Sequence, residues 1–413
     1  MKKLSLINPS RNNLQYLKWS YASVRKHASA DIEYCVASDY SNDGTVEWCE
    51  ETAKADPYFK FIVNDGTWFG ENTGELKRAG HTILYDKLIE EVATGDIVMI
   101  WHSDMYITPG SFERVLELIK PRSVVSMTRI EPVGLHPPGP EKLLLDFGLE
   151  PEEFDEIGLL KYAKDRQEEY KNKTTTGVFA PWAIYKEDFL AIGGHDPLFA
   201  PQSREDSCIF NRFVLAGYEL IQTWEAYVAH LTCRGSRFNP QLTTPGKASA
   251  EWVAHNRKSE RNFIRKWGHM VQVDPYMKPI IPHKYDIGFI VTNCNYHALE
   301  ALEPWCSRIY TDLPETDIII YMANEQSNTM YDLAKRVYYS SNFYEQRGDI
   351  IVRFDCRKLT QENFKFITQL PEILESQVTE IASFDYDIFD IRVHAIRHYE
   401  KDLIVCDKTV VVR

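Results

Sequence analysis

The chain has 413 residues, 44% of them hydrophobic and 26% charged, which supports a sizeable core and excludes collagenous, low-complexity and stapled mini-protein classes. Sixty acidic against forty-seven basic side chains leave a formal charge of −13, which argues against general binding to nucleic acid or to an acidic membrane surface. No apolar run reaches the roughly 18 residues that span a bilayer, and MKKLSLINPSRNN turns polar before a signal-peptide core forms, so we expect a soluble, cytoplasmic protein.

The first hundred residues alternate short β-rich runs with longer helical patterns, as in a parallel sheet covered by helices. Leu4–Asn8 reads as a strand, Leu14–His27 as a helix, Ile32–Ser38 as a strand, Thr45–Ala55 as a helix and Phe59–Asn64 as a strand. Thr73–Ala93 then reads as a helix closed by Thr94-Gly95, and Ile97–Trp101 as a fully apolar strand running into His-Ser-Asp. Polar residues thus gather just past strand ends, the edge where open α/β sheets bind ligands.

Pro109–Ile119 predicts another helix and Val124–Ile130 another strand. Residues 135–175, charged and proline-bearing, read as an excursion carrying a solvated helix, and the regular apolar pattern resumes at GVFAPWAIY and ends near Phe263–Gly268. The proline-rich stretch at 273–284 divides a first domain, 1–272, from a second α/β domain, 285–413. In that second domain DIIIYMANE and DIIVRFD read as strands, and ASFDYDIFDIRVHAI as a strand with one wet face. The eight cysteines form no CxxC pair, which speaks against a structural zinc site and for reduced, buried thiols.

Several side chains have the chemistry of a site. Asp104 follows an apolar strand and precedes a Pro-Gly turn, so its carboxylate projects from the ligand edge and suits a hard divalent cation; His102 extends to the same side. Both also have a plainer reading, as a loop cap and a packed histidine. Asp39, at a strand end, can accept hydrogen bonds from a base or ribose. Glu205 and Asp206 precede a helix, where acids serve as caps, and a carboxylate is also the natural base for a hydroxyl nucleophile. His230 ends the run AYVAH and is a second imidazole for a cation.

The order of these segments carries more than any one of them. Pro9-Ser10-Arg11-Asn12, SDYSNDGT, ATGDIVMIWHSD, FLAIGGHDPLF, REDSCIFNRFVLAGY, VAH and KWG succeed one another in a way that resembles glycosyltransferase family 2 over about the first 270 residues. The resemblance implies a GT-A fold, an α/β architecture with a Rossmann-like mixed sheet between helices. It implies a metal-dependent inverting transfer of a hexosyl-type sugar from a UDP- or GDP-sugar to a hydroxyl acceptor, with Mn2+ or Mg2+, in glycan synthesis.

Residue by residue, it implies nucleotide contacts for Pro9, Ser10, Arg11 and Asp39. The Asp-x-Asp metal motif corresponds to His102-Ser103-Asp104, with histidine for the first acid, so Asp104 is the direct ligand and His102 either a ligand or a ribose contact. His230 closes the metal site. Gly193-Gly194-His195-Asp196 matches a Gly-Gly-Phe-Asp segment on the acceptor side, with histidine for phenylalanine; Asp196 and Trp182 fall at the acceptor. Of Glu205 and Asp206, the second is the expected base, and Arg11, Lys77, Arg78 or Lys87 add charge near the phosphates. Two alternatives stay open: a non-catalytic nucleotide-sugar or glycan binder on this fold, and a sugar nucleotidyltransferase. No family resemblance covers the chain beyond Tyr285.

Overall fold

The structure is a computed structural model that describes residues 2–67, 78–232, 237, 247–340, 347–377, 380–406 and 408. Contacts divide the chain into two units, Met1–His255 with Val273–Pro279, and Asn256–Gln272 with Ile280–Arg413.

In the first unit β1 (Leu4–Ser10), β2 (Glu33–Asp39), β3 (Phe59–Asn64) and β4 (Ile97–Ile100) pair in parallel in the order β3-β2-β1-β4. Every residue of β1, β2 and β4 is buried, the polar Ser5, Asn8, Glu33 and Asp39 among them, as in parallel strands covered on both faces. Between them run α1 (Leu14–His27), α2 (Thr45–Ala55) and α3 (His81–Lys87), the last continued by a π-helical turn at Leu88–Val92. The helix expected from residue 73 thus starts, in its described part, at His81; residues 68–77, with Lys77, lie outside the described residues. Gly80 precedes that helix at φ +76°, and a Cβ there would stand 2.3 Å from Pro201, so only glycine fits the approach.

The chain continues through β5 (Met105–Ile107), α4 (Ser111–Leu118), β6 (Ser123–Glu131), β7 (Lys142–Leu144), α5 (Glu156–Glu169) and β8 (Thr174–Thr175). It then runs through β9 (Trp182–Tyr185), α6 (Lys186–Ala191), α7 (Glu205–Leu215), β10 (Glu219–His230) and α8 (Ala250–Trp267). Here the sheet becomes mixed. β9 lies antiparallel between β4 and β6, β6 and β10 are parallel, and β5 closes antiparallel onto β10. This is the mixed α/β architecture that the family resemblance implies. The excursion at 135–175 does carry a solvated helix, α5, with Ile157 83% exposed and only Leu159 and Ala163 buried. It is tied to the sheet at both ends, by β7 on β6 and β8 on β10.

The second unit holds β11 (Ile287–Thr292), α9 (Tyr296–Leu302), β12 (Arg308–Thr311), α10 (Glu315–Gln326), β13 (Val337–Tyr339) and β14 (Ile350–Asp355). After them come α11 (Gln361–Thr368), α12 (Leu370–Gln377), β15 (Ala382–Tyr386) and β16 (Phe389–Val393). Its sheet runs β13-β12-β11-β14-β16-β15, with the first four strands parallel, so the smaller α/β unit is present. Two local expectations need correction. DIIIYMANE is helix α10, not a strand: Ile318, Tyr321 and Glu325 share the buried face at helical spacing while Ile319 and Ile320 face solvent. ASFDYDIFDIRV is two strands, β15 and β16, reversing at Asp387 with φ +50°. The proline-rich stretch after Val273 includes an ordered turn in which Asp274 accepts from the amides of Tyr276 and Lys278. No helix among the described residues is long and apolar enough to cross a membrane.

Candidate active site

The site follows from sheet register. His102, Ser103 and Asp104 occupy the short loop between β4 and β5, and β5 pairs with the last turn of β10 so that Met105 faces His230. The amide of Leu231 donates to the Asp104 carbonyl at 3.0 Å and locks the loop onto β10. β6 runs parallel to β10 on its other side, Ala229 opposite Ile130, and so brings Glu131 next to His230. Four groups from three separate segments of the chain therefore meet at one strand edge.

Their geometry is that of a small-cation pocket. His230 Nε2 lies 3.4 Å from Asp104 Oδ1 and 3.5 Å from His102 Nδ1, and all three donor atoms fall within 4.8 Å of one another. Donors held about 2.0–2.2 Å from one ion are separated by such distances. On its far side His230 Nδ1 meets Glu131 Oε1 at 2.9 Å, the outer-shell carboxylate that fixes a ligating imidazole with its other nitrogen free. Glu131 is itself held by Arg129 at 3.2 Å and Lys142 at 3.1 Å, and Arg129 reaches Glu141 at 3.0 Å. The donor set fits a divalent cation, and with two imidazoles it suits Mn2+ better than Mg2+.

Electrostatics agree. Burial works against charge on His230, but Asp104 and Glu131 outweigh it and raise its pKa to about 9, a proton standing where a cation's charge would be welcome. Asp104 is buried too, yet His230 and then His102 hold it down at about 2. His102 is pushed down to about 3, first by burial and then by His230, and so keeps a lone pair. Ser103 turns the other way, its hydroxyl donating to Asn8 at 3.1 Å.

The nucleotide-side candidates sit at the ends of β1 and β2, where Ser10 pairs with Ser38. Both hydroxyls are buried without a hydrogen-bond partner among the described residues, as is Arg11 Nε. Pro9, buried inside β1, offers no polar side-chain group. Burial and then Arg78 lower the pKa of Arg11, with Glu251 and Asp39 acting against them. Asp39 holds the turn before α3: it accepts from Asn64 Nδ2 at 2.7 Å, Ala79 N at 2.9 Å and Gly80 N at 3.0 Å. Three of its acceptor positions are thereby used.

Among the acceptor-side candidates, the chain enters α7 through the consecutive non-glycine residues Ser203 and Arg204 at φ +78° and +68°, a sharp turn that costs of order 1–3 kcal/mol each. It delivers Glu205 and Asp206 in the helix's first turn. Burial raises both carboxyls; for Glu205 the neighbouring Asp206 adds to it, whereas His195 and then Trp182 oppose it at Asp206. Glu205 is the more buried and its Oε2 finds no partner among the described residues. Both carboxyls are thus held above their ordinary range, so this pair is suited to accepting a proton.

Two expected acceptor contacts have other surroundings. Trp182 is fully buried in β9 among Phe189, His195, Phe210 and Phe213, so its indole presents no open face to a sugar. Asp196 caps the 3-10 turn Pro197–Phe199 by accepting from Leu198 N. Three neighbours had no motif to announce them: Glu131, the close of an ordinary strand; Asp86, on the buried face of α3; and His81, which lies within the field of Asp39, Asp206 and Asp104.

A further cluster, His283, His398 and Glu400, lies in the second unit. There His283 Nδ1 meets Glu400 at 2.9 Å, its Nε2 faces Glu375 at 3.7 Å, and His398 stacks on it at 3.7 Å. Both nitrogens of His283 already face carboxylates, so this group reads as a local polar cluster.

Residues 5–73 match the family model described as glycosyl transferase family 2, the segment from β1 through β3 that carries the first motifs of the resemblance. No curated protein resembles the chain at a significant level. Among solved structures the chain is similar to GalNAc-T7 with UDP, GalNAc and Mn2+, at 14% identity and TM-score 0.42, over 56% of this chain and 44% of that one. It is similar also to the mannosyltransferase PcManGT of Pyrobaculum calidifontis in complex with GDP-Man and Mn2+, at 14% identity and TM-score 0.42, over 79% and 75%. A third is S. aureus TarS 1-349, at 14% identity and TM-score 0.35, over 56% and 58%. The chain thus spans less than half the length of the first of these.

Proposed function

We propose, from a family 2 glycosyltransferase match over residues 5–73 and the site that follows it in the chain, that this protein is a divalent-metal-dependent inverting glycosyltransferase. Its donor would be a UDP- or GDP-hexose and its acceptor a hydroxyl, in glycan synthesis. The observation that carries the reading is the convergence of His102, Asp104 and His230, backed by Glu131, in the unit that also carries the buried acid pair Glu205-Asp206.

In this reading Ser10, Ser38 and Arg11 give their unpartnered donors to the nucleotide, and Asp39 its last acceptor position. His102, Asp104 and His230 hold the cation, which when bound supplies Lewis-acid charge at the diphosphate. Glu131 and Arg129 keep His230 turned with Nε2 inward. Asp206 takes the proton of the acceptor hydroxyl as its oxygen attacks the anomeric carbon. The new carbon–oxygen bond forms as the bond to the diphosphate breaks, the electron pair leaves with the diphosphate, and the centre inverts. Glu205, whose carboxyl burial and Asp206 raise to about 8, is not the base in this reading. We read the place of action as the cytoplasm, whose reducing conditions keep the buried Cys35, Cys49, Cys208 and Cys306 as thiols.

The test is a panel of UDP- and GDP-sugars with Mn2+, followed by thermal shift and by the phosphate product released. Nucleoside diphosphate release supports the reading. Pyrophosphate would turn it into a nucleotidyltransferase, and donor binding without release of either would make it a binder. Asp206→Asn is expected to keep the donor-induced thermal shift and lose release.

A further inference from the structure

This inference rests on the cation site of the proposed function and concerns what holds its ligands in place. His102, Ser103 and Asp104 form a tight turn in which the His102 carbonyl accepts from Met105 N at 3.3 Å. Pairing of β1 with β4 runs to Ile7 and Ile100, and Trp101 N adds one more bond to the Ile7 carbonyl at 2.9 Å. From there the turn leaves β1 and crosses to β10. A turn held at its two ends keeps one soft motion, rotation about the line that joins them, and that rotation would carry His102 and Asp104 away from His230. The Asp104 carbonyl, bonded to Leu231 N, restrains it from the β10 side.

The β1 side is restrained by a buried polar chain that begins and ends on the loop it serves. Ser103 Oγ donates to Asn8 Oδ1 at 3.1 Å, Asn8 Nδ2 donates to the Tyr34 hydroxyl at 2.8 Å, and that hydroxyl donates to Ser20 Oγ at 3.0 Å. Ser20 Oγ also accepts from Trp101 Nε1 at 2.9 Å. The chain thus leaves from the residue just after His102 and returns to the residue just before it. Asn8, Ser20, Tyr34 and Trp101 are fully buried. The Tyr34 ring lies parallel to Phe59 at 6.1 Å and perpendicular to Tyr21 at 5.5 Å, so its hydroxyl is delivered at a fixed point. Burial raises its pKa, and it stays a neutral hydroxyl able to accept from Asn8 and donate to Ser20.

Polar groups in such a place need a reason. Leu6, Ile7, Val36 and Ile100 around them are apolar, and hydrocarbon side chains would pack there with no donor or acceptor to satisfy. A chain of matched donors and acceptors instead specifies one arrangement of the groups it joins. Asn8 is its pivot, since its amide accepts from the turn with one arm and is held at Tyr34 by the other. We propose that Asn8, backed by Tyr34, is a positioning residue for the cation site: through the Ser103 hydroxyl it fixes the turn so that His102 and Asp104 meet His230. Ser103 gives its proton to this chain rather than to a nucleotide.

The experiment titrates the full chain with Mn2+ alone, reading the free and bound ion by electron paramagnetic resonance and the fold by thermal melting. Ser103→Ala and Asn8→Ala are each expected to weaken Mn2+ binding about 10–100-fold and to broaden the spectrum of the bound ion, because its ligands are no longer held in one geometry. The double variant loses no more than either single one, since both remove the same bond. Tyr34→Phe, which keeps the ring and deletes the hydroxyl, weakens binding by less, and Ser103→Thr, which keeps a hydroxyl, retains it. Ser5→Ala takes a buried hydroxyl from the other end of β1, where it bonds Glu33 at 2.6 Å, and lowers the melting temperature with Mn2+ affinity unchanged. Unmoved affinity in folded Ser103→Ala and Asn8→Ala overturns the proposal, as does full additivity in the double variant or an equal loss in Ser5→Ala. A wild type that takes up no Mn2+ removes the cation site and this proposal with it. The expected pattern in a protein that releases no nucleoside diphosphate from any donor leaves the positioning role standing and removes the transferase reading alone.

Discussion

The two units carry the same strand order, a central strand flanked by its successors on one side and by a later parallel strand on the other, β3-β2-β1-β4 and β13-β12-β11-β14. Their carboxyl edges are finished in opposite ways. In the first, Ser10, Ser38 and Arg11 leave buried donors without partners among the described residues, and His102, Asp104 and His230 bring ligand atoms to one spot. In the second, Asn293 turns into the left-handed region and its amide and that of Cys294 would make an anion cradle, but Asp312 fills it at 2.7 and 3.0 Å. Asp355 is likewise answered by Arg357. An α/β edge marks a ligand site only where its own side chains leave hydrogen-bonding capacity unspent.

The sharpest way to break this contrast is to remove one aspartate from each edge. Asp104→Ala is expected to lower metal-dependent turnover by about a thousandfold, the scale of losing one preorganised stabiliser of developing charge. Asp312→Ala leaves turnover alone and lowers stability by only about 0.5–1.5 kcal/mol, since two exposed amides exchange a charged acceptor for water. Nucleoside diphosphate release and denaturant midpoints measure both. Equal turnover losses would mean that the second edge also serves the reaction.

A second contrast concerns buried charge. Glu303 is fully buried and bonded to Arg265 at 2.7 Å and Arg336 at 2.7 Å, with Arg261 at 3.7 Å. Burial opposes its charge, but Arg336 and Arg265 hold its pKa far below the ordinary 4.5. A depressed carboxyl stabilises the fold fully above its unfolded value and loses that contribution as pH falls through the folded one. Stability of the chain in calorimetry is therefore expected to decline below about pH 4.5, and less steeply in Glu303→Gln. Glu303→Ala, which strands two buried guanidiniums, is expected to cost about 3–5 kcal/mol.

That network also shows what could and could not be read from sequence. α1, α2 and β3 were legible to the residue because periodicity and turn signals agree. Asp104 and His230 were legible as ligand types, but their partnership depends on β5 folding back on β10, and Met105–Ile107 is too short to announce itself. Glu131 carried no signal at all, since an acid ending a strand is ordinary; only the parallel register with β10 makes it matter. α10 misled because an Ile-rich run looks like a strand until its exposed residues are known. Residues 256–272 continue the first domain's pattern in sequence, yet Arg261 and Arg265 find their acids, Glu325 and Glu303, in the second unit.

Within the first edge, Glu131→Gln tests whether the carboxylate behind His230 does more than fill space. The amide still offers an oxygen to Nδ1 but no charge, so metal affinity is expected to weaken about 10–100-fold while the fold persists. Titration with Mn2+, read by thermal shift, measures it. An unchanged affinity would assign Glu131 to the Arg129–Lys142 network alone.

The smallest expected effect is also the most specific. His102 occupies the position where the family resemblance has an acid, and its depressed pKa leaves a neutral nitrogen 3.5 Å from His230 Nε2. Two imidazoles and one carboxylate favour a cation that accepts nitrogen, whereas Mg2+ prefers an all-oxygen shell. His102→Asp is therefore expected to keep turnover within the same order of magnitude and to narrow the advantage of Mn2+ over Mg2+. The added carboxylate would stand beside Asp104, so the apparent affinity for either ion should fall as pH drops toward the carboxylate range, earlier than in the wild type. If the metal preference does not move, His102 faces the donor's ribose rather than the ion, and the cation is held by Asp104 and His230 without it.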